Sequence, residues 1–170
     1  MRKLFFAAFC VLSLFAVISN AQETKPVKPT ITKEKLVTKH ATGTFEVKVT
    51  PLAAEDNVGD PKIGRLSLDK QFSGGITAKS LGQMLGYQSE TPGTGGYVAI
   101  EQVTGTLDGK KGGFALQHIG TMGGGKFELN VSVVPGSGTG ELAGIAGKMT
   151  INLDGSKHSY DLEYTIDPPK

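Results

Sequence analysis

From Thr42 to the C-terminus, apolar and polar residues alternate with a period of two, as they do along half-buried β-strands. The last such run alternates Tyr160, Leu162, Tyr164 and Ile166 with polar residues. The pattern predicts eight strands, over about 42–49, 63–72, 75–85, 96–107, 113–122, 127–134, 148–153 and 157–166. Only the stretch from Gly140 to Ala146 is predicted to form a helical turn.

Strong turn signals separate the later strands, namely Asp108-Gly109, Gly123-Gly124-Gly125 and Asp154-Gly155. Such short connections join antiparallel neighbours, so the last five strands should run up and down. Closure would remove the exposed edges of such a meander. We therefore predict an all-β fold, an eight-stranded antiparallel closed barrel whose interior is filled by side chains or holds one small ligand. A two-sheet sandwich is the alternative.

The hairpin from Tyr97 to Met122 carries the most suggestive polar residues, Glu101 and His118. A loop over 108–111 would place these two residues opposite each other. A two-residue turn at Asp108-Gly109 would instead pair Glu101 with Leu116 and leave His118 diagonal to it. Both registers put one set of residues on the same, inward face, since side chains alternate along a strand: Tyr97, Glu101, Phe114, Leu116 and His118.

The C-terminal hairpin adds His158, Tyr160 and Tyr164, which share a face with Met149, Ile151 and Leu153. The two faces together predict an apolar lumen with a polar end. We expect its ligand-binding residues to be Tyr97, Phe114, Leu116, His158, Tyr160 and Tyr164.

Glu101 and His118 are the candidate catalytic residues, because a carboxylate and an imidazole in an apolar cavity can act as acid and base. The alternative is a buried structural pair. In that case, removing His118 would leave a buried carboxylate without its partner, and Glu101→Gln should be milder because the amide keeps the shape.

The N-terminus has the features of a Sec-type signal peptide over residues 1–21. Arg2 and Lys3 precede an uncharged apolar run, and Ser19-Asn20-Ala21 offers small residues for cleavage. Residues 22–40 are rich in Lys and Pro and predict a flexible tether, followed by one barrel domain over 41–166. We expect export to the periplasm or the exterior, with no membrane attachment after cleavage.

Composition excludes several classes of site. Cys10 is the only cysteine, so the mature chain has no disulfide or thiolate ligand. The 18 basic residues, less Arg2 and Lys3, leave 16 against 16 acidic residues, which argues against nucleic acid as a partner. The three histidines have no ligand spacing, so we predict no metal. The stretch Gly138 to Ala143 fits a loose dinucleotide fingerprint without a βαβ unit, so we predict no cofactor.

Several stretches resemble a known family, the domain of unknown function family 3224. They are ATGTFEVKVTP (41–51), GRLSLDKQFSGGITAKSLGQML (64–85), GGYVAIEQVTGTLDGKKGGFALQHIGTMGGG (95–125), VVPGSGTGELAGIAGKMTI (133–151) and HSYDLEYTI (158–166). The family is similar in fold to the eight-stranded barrel of plant allene oxide cyclase, so the resemblance implies a closed barrel. It implies no activity and no catalytic residues.

Three hypotheses about function follow. The first is an exported binding module that holds a small apolar or amphipathic ligand in its lumen. The second is an enzyme of the cyclase or isomerase type that uses Glu101 and His118. The third is a structural protein with a filled barrel, a homo-oligomer whose interface uses outward residues such as Val98, Ile100 and Ile119.

Overall fold

The computed structural model describes residues 36–53 and 59–167. The predicted signal peptide and most of the predicted tether lie outside these residues. The described part is all-β and contains no helix, so no helix in it could cross a membrane. Nine strands are present: β1 (Lys39–Pro51), β2 (Ile63–Gly74), β3 (Ile76–Gln88), β4 (Gly95–Leu107), β5 (Lys110–Gly123), β6 (Lys126–Val133), β7 (Thr139–Gly140), β8 (Ile145–Asp154) and β9 (Lys157–Ile166).

Eight of the strands close into an antiparallel barrel. Each of β1 to β5 pairs with the next strand, β6 pairs with β8, β8 with β9, and β9 returns to β1. The ninth strand, β7, lies outside the ring and pairs only with the start of β5. The predicted closed barrel is therefore confirmed and the sandwich is excluded. The observed strand β1 starts three residues earlier than predicted, within the stretch that we assigned to the tether.

The turn between β4 and β5 decides between the two registers considered for this hairpin. Asp108 and Gly109 have φ angles of 48° and 79°, the left-handed values that a two-residue type I′ turn requires. Leu107 consequently pairs with Lys110, and Glu101 with Leu116. The two-residue register is therefore the observed one, and it leaves His118 diagonal to Glu101.

The predicted helical turn at 140–146 is wrong. Thr139–Gly140 forms β7, hydrogen-bonded turns follow, and β8 begins at Ile145. The glycines at 140 and 144 have φ angles of 60° and 82°, which a right-handed helix does not accommodate. The segment instead inserts Leu142, which is 1% exposed, into the barrel core.

The two ends of the barrel differ in how they are filled. At the closed end, which we define by Ile76, Leu107, Leu142 and Tyr164, apolar side chains bury each other completely or almost completely. At the open end, the inward positions of β2 and β3 are Gly64 and Gly86, which pair with each other. Inward-facing side chains there are only half-buried. Any site that takes a ligand into the barrel must therefore be sought at the open end.

Candidate functional site

Four polar side chains meet inside the barrel between its two ends. Strands β2, β3, β4 and β5 contribute Lys70, Ser80, Glu101 and His118, respectively. Lys70 Nζ donates to Glu101 Oε1 over 2.8 Å, and His118 Nε2 lies 2.9 Å from the same oxygen. Ser80 Oγ donates to Oε2 over 2.7 Å. The pair predicted from the sequence is thus part of a larger arrangement, which we call the charge cluster.

The carboxylate at the centre of the charge cluster is fully buried yet ionised. Burial raises the pKa of Glu101, but the hydrogen bond from His118 and the charge of Lys70 outweigh it and lower the pKa to about 2. Because an ionised carboxylate only accepts hydrogen bonds, the proton between His118 and Glu101 lies on His118 Nε2. In the part of the chain that the structure describes, no buried side-chain nitrogen or oxygen lacks a hydrogen-bond partner.

Aromatic rings and a glycine complete the surroundings of the charge cluster. The Lys70 ammonium lies 4.8 Å from the ring centroid of Phe45 and 5.9 Å from that of Phe72, within cation–π range. Gly82 faces Glu101 across the strand pair, and a Cβ there would come within 2.6 Å of the Glu101 Cβ. Gly82 is therefore required by packing, since any side chain would collide with the carboxylate residue.

An open pocket of about 500 Å³ lies at the open end of the barrel. Its lining is mostly apolar and aromatic, with Lys62 as its one charged side chain: Pro61, Lys62, Gly64, Leu66, Met84, Gly86, Tyr87, Gln88, Gly93, Thr94, Gly96, Tyr97 and Met122. Tyr97 lies against Gly120, where a Cβ would be 2.2 Å from its ring. The glycine at 120 thus leaves room for the half-buried ring of Tyr97 at this end.

Two of the glycines that line this open-end pocket are not required by packing. A Cβ on Gly86 would meet Leu66 and Tyr97 at 3.9 Å, and one on Gly64 would meet only a backbone oxygen at 3.8 Å. These are ordinary van der Waals distances, and neither residue has a positive φ. Unlike Gly82, these two positions could carry side chains, and the absence of side chains leaves the volume open.

The other predicted ligand-binding residues lie elsewhere. Phe114, Leu116, Tyr160 and Tyr164 are at most 2% exposed and are packed in the core cluster. The Tyr160 hydroxyl accepts a hydrogen bond from the Ile76 amide over 2.8 Å. These side chains fill the barrel and line none of the open-end pocket, so the lumen is not one continuous ligand cavity.

Tyr164 also ties the barrel wall to the turn between β4 and β5. Its hydroxyl donates to Asp108 Oδ2 over 2.6 Å. Burial and the neighbouring carboxylate both raise the pKa of Tyr164. Because the phenol stays protonated, it can serve as the donor in this contact, and a structural role follows for a residue that the sequence assigned to a ligand.

His158 lies at a second, separate groove. Its ring is 4.9 Å from that of Phe45, at the last residue pair that joins β9 to β1. The groove there has a volume of about 800 Å³, and its lining combines outward polar residues such as Thr44, Glu46 and Gln71 with the inward-facing Phe45 and Val47. Of the predicted site residues, the structure thus brings Glu101 and His118 together and places Tyr97 at the open-end pocket. His158 belongs to neither place.

Sequence reasoning missed Lys70 and Ser80. The signal for Lys70 was present, because it shares the inward phase of β2 with Leu66, Leu68 and Phe72. A lysine in an apolar phase of a strand indicates a buried partner of opposite charge.

No group of three or more His, Cys, Asp or Glu side chains that could hold a metal ion is present in residues 36–53 and 59–167.

Comparison with known proteins assigns the chain to a family and no activity. A crystal structure of a protein of unknown function from Shewanella oneidensis MR-1, described as a DUF3224 family member, superposes with a TM-score of 0.71 at 42% identity. The match covers 78% of this chain and all of that one. No curated protein matches the chain. The profile of the family described as "Protein of unknown function (DUF3224)" matches residues 41–164. The chain therefore belongs to the DUF3224 family.

Proposed function

We propose that the protein is a binding module that takes one small apolar or amphipathic molecule into the open-end pocket. The observation that carries this proposal is the open volume at Gly64 and Gly86, where side chains would fit but none is present. A pocket of about 500 Å³ suits one small organic ligand. Leu66, Met84 and Tyr97 would contact its apolar part.

The rim of the pocket favours an amphipathic ligand that carries a negative charge. Lys62 is the single charged side chain in the lining and is exposed to solvent. An acidic group could therefore stay at the rim, close to the ammonium and partly in water, while the apolar part enters between the two methionines. Methionine side chains adapt to irregular apolar shapes, which suits a pocket of this kind.

The charge cluster argues against the alternative of an acid–base enzyme that uses Glu101 and His118. Glu101 is 0% exposed, and both of its oxygens already accept hydrogen bonds. Its low pKa makes it a poor base, whereas an effective general base has a pKa near the working pH. Neither Glu101 nor His118 lines the open-end pocket. The carboxylate is therefore better placed to support the pocket than to react with its contents.

Two fluorescent probes test the proposal. 1-Anilinonaphthalene-8-sulfonate is an amphipathic anion, and N-phenyl-1-naphthylamine is its uncharged analogue. We expect both to bind the native protein saturably at one site. Gly86→Val should weaken both at least tenfold because its methyl groups enter the pocket, and Lys62→Met should weaken only the anion.

Thr77→Val is the matched control, since it adds the same side chain at an exposed position of the same strand. The melting temperature of every variant should be measured and should equal that of the parent. This control is needed because such probes also bind partly unfolded proteins, which would obscure binding at the pocket. Equal probe binding by Gly86→Val and the parent would refute the proposal. Separately, native mass spectrometry of the purified parent protein would identify any ligand retained from the cell.

A further inference from the structure

The outer surface of strands β3, β4 and β5 is unusually apolar. Five large apolar side chains there are between 47% and 60% exposed, and neutral glutamines lie among them. We call this surface the β3–β5 face and define it by Leu81, Gln83, Leu85, Val98, Ile100, Gln102, Gln117 and Ile119. None of its eight side chains carries a charge, although outward positions of a barrel in water are ordinarily polar.

The apolar residues form one continuous row across the three strands, next to a mixed row. Leu85 pairs with Val98, which pairs with Ile119, so that one row is wholly apolar. In the adjacent row, Ile100 lies between Gln83 and Gln117. The outward positions of β1, by contrast, are polar or charged, as at Glu46 and Lys48. Exposed apolar side chains also occur elsewhere, as at Ile63 and Leu153, so what marks the β3–β5 face is the grouping of five of them on three neighbouring strands.

The β3–β5 face also has the relief that a self-complementary contact needs. An open groove of about 440 Å³ runs over it, and its lining includes Leu85, Val98 and Ile119. Ile100 is itself part of the groove's lining and is 60% exposed. A second copy turned by a two-fold rotation could place its Ile100 over the first copy's groove and receive the first copy's Ile100 in return.

We propose that this face forms the interface of a homodimer. Its five apolar side chains expose roughly 500 Å², near the upper limit for the largest patch of a typical monomer. With the three glutamines added, the face approaches the ~800 Å² per partner of a standard interface. Two identical uncharged surfaces meet without like-charge repulsion, and glutamine amides both donate and accept hydrogen bonds. The proposal is independent of the binding function, because the face and the open-end pocket share no residue.

Sedimentation equilibrium of the purified protein tests the proposal. We expect the parent to be a dimer at micromolar concentration. Ile100→Glu should weaken the dimer by roughly a hundredfold or more, because two like charges would be juxtaposed near its centre. Leu153→Glu is the matched control, since Leu153 is 57% exposed and lies in a different part of the barrel. This control should remain a dimer.

The oligomeric states of the parent and of Ile100→Glu decide between the possible outcomes. A monomeric parent refutes the proposal, and a monomeric parent that co-sediments with vesicles of zwitterionic phosphatidylcholine assigns the face to a lipid surface. A dimer that Ile100→Glu leaves intact also refutes it, because the interface must then lie elsewhere. Circular dichroism melts of the diluted protein should show no loss of stability in Ile100→Glu, since the side chain is outside the core.

Discussion

The charge cluster offers the sharpest test of how this barrel is stabilised. Glu101→Gln keeps the size of the side chain but removes the charge that Lys70 and His118 both contact. The Lys70 ammonium, only 5% exposed, would then lie in the barrel without a counter-ion. Breaking a buried ion pair by removing one partner is costly because the remaining charge stays desolvated.

The expected loss can be worked out from the carboxylate itself. The pKa of Glu101 falls from its ordinary value of 4.5 to about 2 on folding. This difference corresponds to about 3 kcal/mol of folding free energy at neutral pH. The typical cost of breaking a buried pair, about 3–5 kcal/mol, agrees with this figure. We therefore expect Glu101→Gln to lower the free energy of unfolding by about 3–5 kcal/mol.

His118→Ala should cost less, about 1–2 kcal/mol, because Glu101 would keep its contacts with Lys70 and Ser80. This order is the reverse of the one that the sequence suggested, when His118 was the only partner in view. The double variant Lys70→Met with Glu101→Gln removes both charges together. It should be more stable than the sum of its two single variants predicts, by at least about 1 kcal/mol.

Urea denaturation at pH 7 measures these free energies by linear extrapolation, provided that the m-value is the same in all variants. The reasoning would be refuted by a Glu101→Gln variant within about 0.5 kcal/mol of the parent, which is the range of ordinary surface substitutions. It would equally be refuted if His118→Ala proved the more damaging change. Additive effects of the Lys70 and Glu101 substitutions would show that the two charges do not stabilise each other.

Three further outcomes are expected. The pKa of Glu101 is lower in the folded than in the unfolded state. Its contribution to the free energy of unfolding is therefore complete above pH 4.5 and is lost as the pH falls towards 2. When stability is measured across this pH range, the difference in free energy of unfolding between the parent and Glu101→Gln should shrink by about 3 kcal/mol. Tyr164→Phe should lower the free energy of unfolding by about 1–3 kcal/mol through loss of the bond to Asp108, and an unchanged urea midpoint would contradict this. We also propose export with cleavage before Gln22, which N-terminal sequencing of the mature protein checks; an intact Met1 in the cytoplasm would disprove it.

Much of the fold was predictable because the physical signal is local. Alternation fixes which side chains face inward, and residue pairs such as Asp108-Gly109 fix where a strand reverses. Eight strands and the inward face of Glu101 and His118 followed from those two rules. The turn around Gly140 was not predictable in the same way, because a short stretch of small residues fits a helical turn as well as a bridge to another strand.

The site was predicted less well, because its position depends on how full the barrel is at each level. The sequence shows that Tyr160 and Tyr97 both face inward. It does not show that the first is packed while the second borders open space. That difference depends on what lies opposite, such as Leu142 inserted from a loop at one end and Gly64 or Gly86 at the other. The open volume at each level of the barrel depends on side chains from several strands. It therefore cannot be predicted from the pattern of any one strand.

The charge cluster lies inside the barrel between its packed closed end and its open end. Glu101 lies four residues along β4 from Tyr97, so the Cα atoms of the two residues are about 13 Å apart along the strand. On one side of it the interior is packed with apolar residues, and on the other side glycines leave space. Glu101 nevertheless influences the pocket, since burial and then its charge raise the pKa of Tyr97. A buried network with every polar atom paired holds its side chains in one arrangement. A pocket above it can therefore stay open without the packed half collapsing into it. On this argument, Glu101→Gln should reduce stability far more than probe affinity, whereas Gly86→Val should do the reverse.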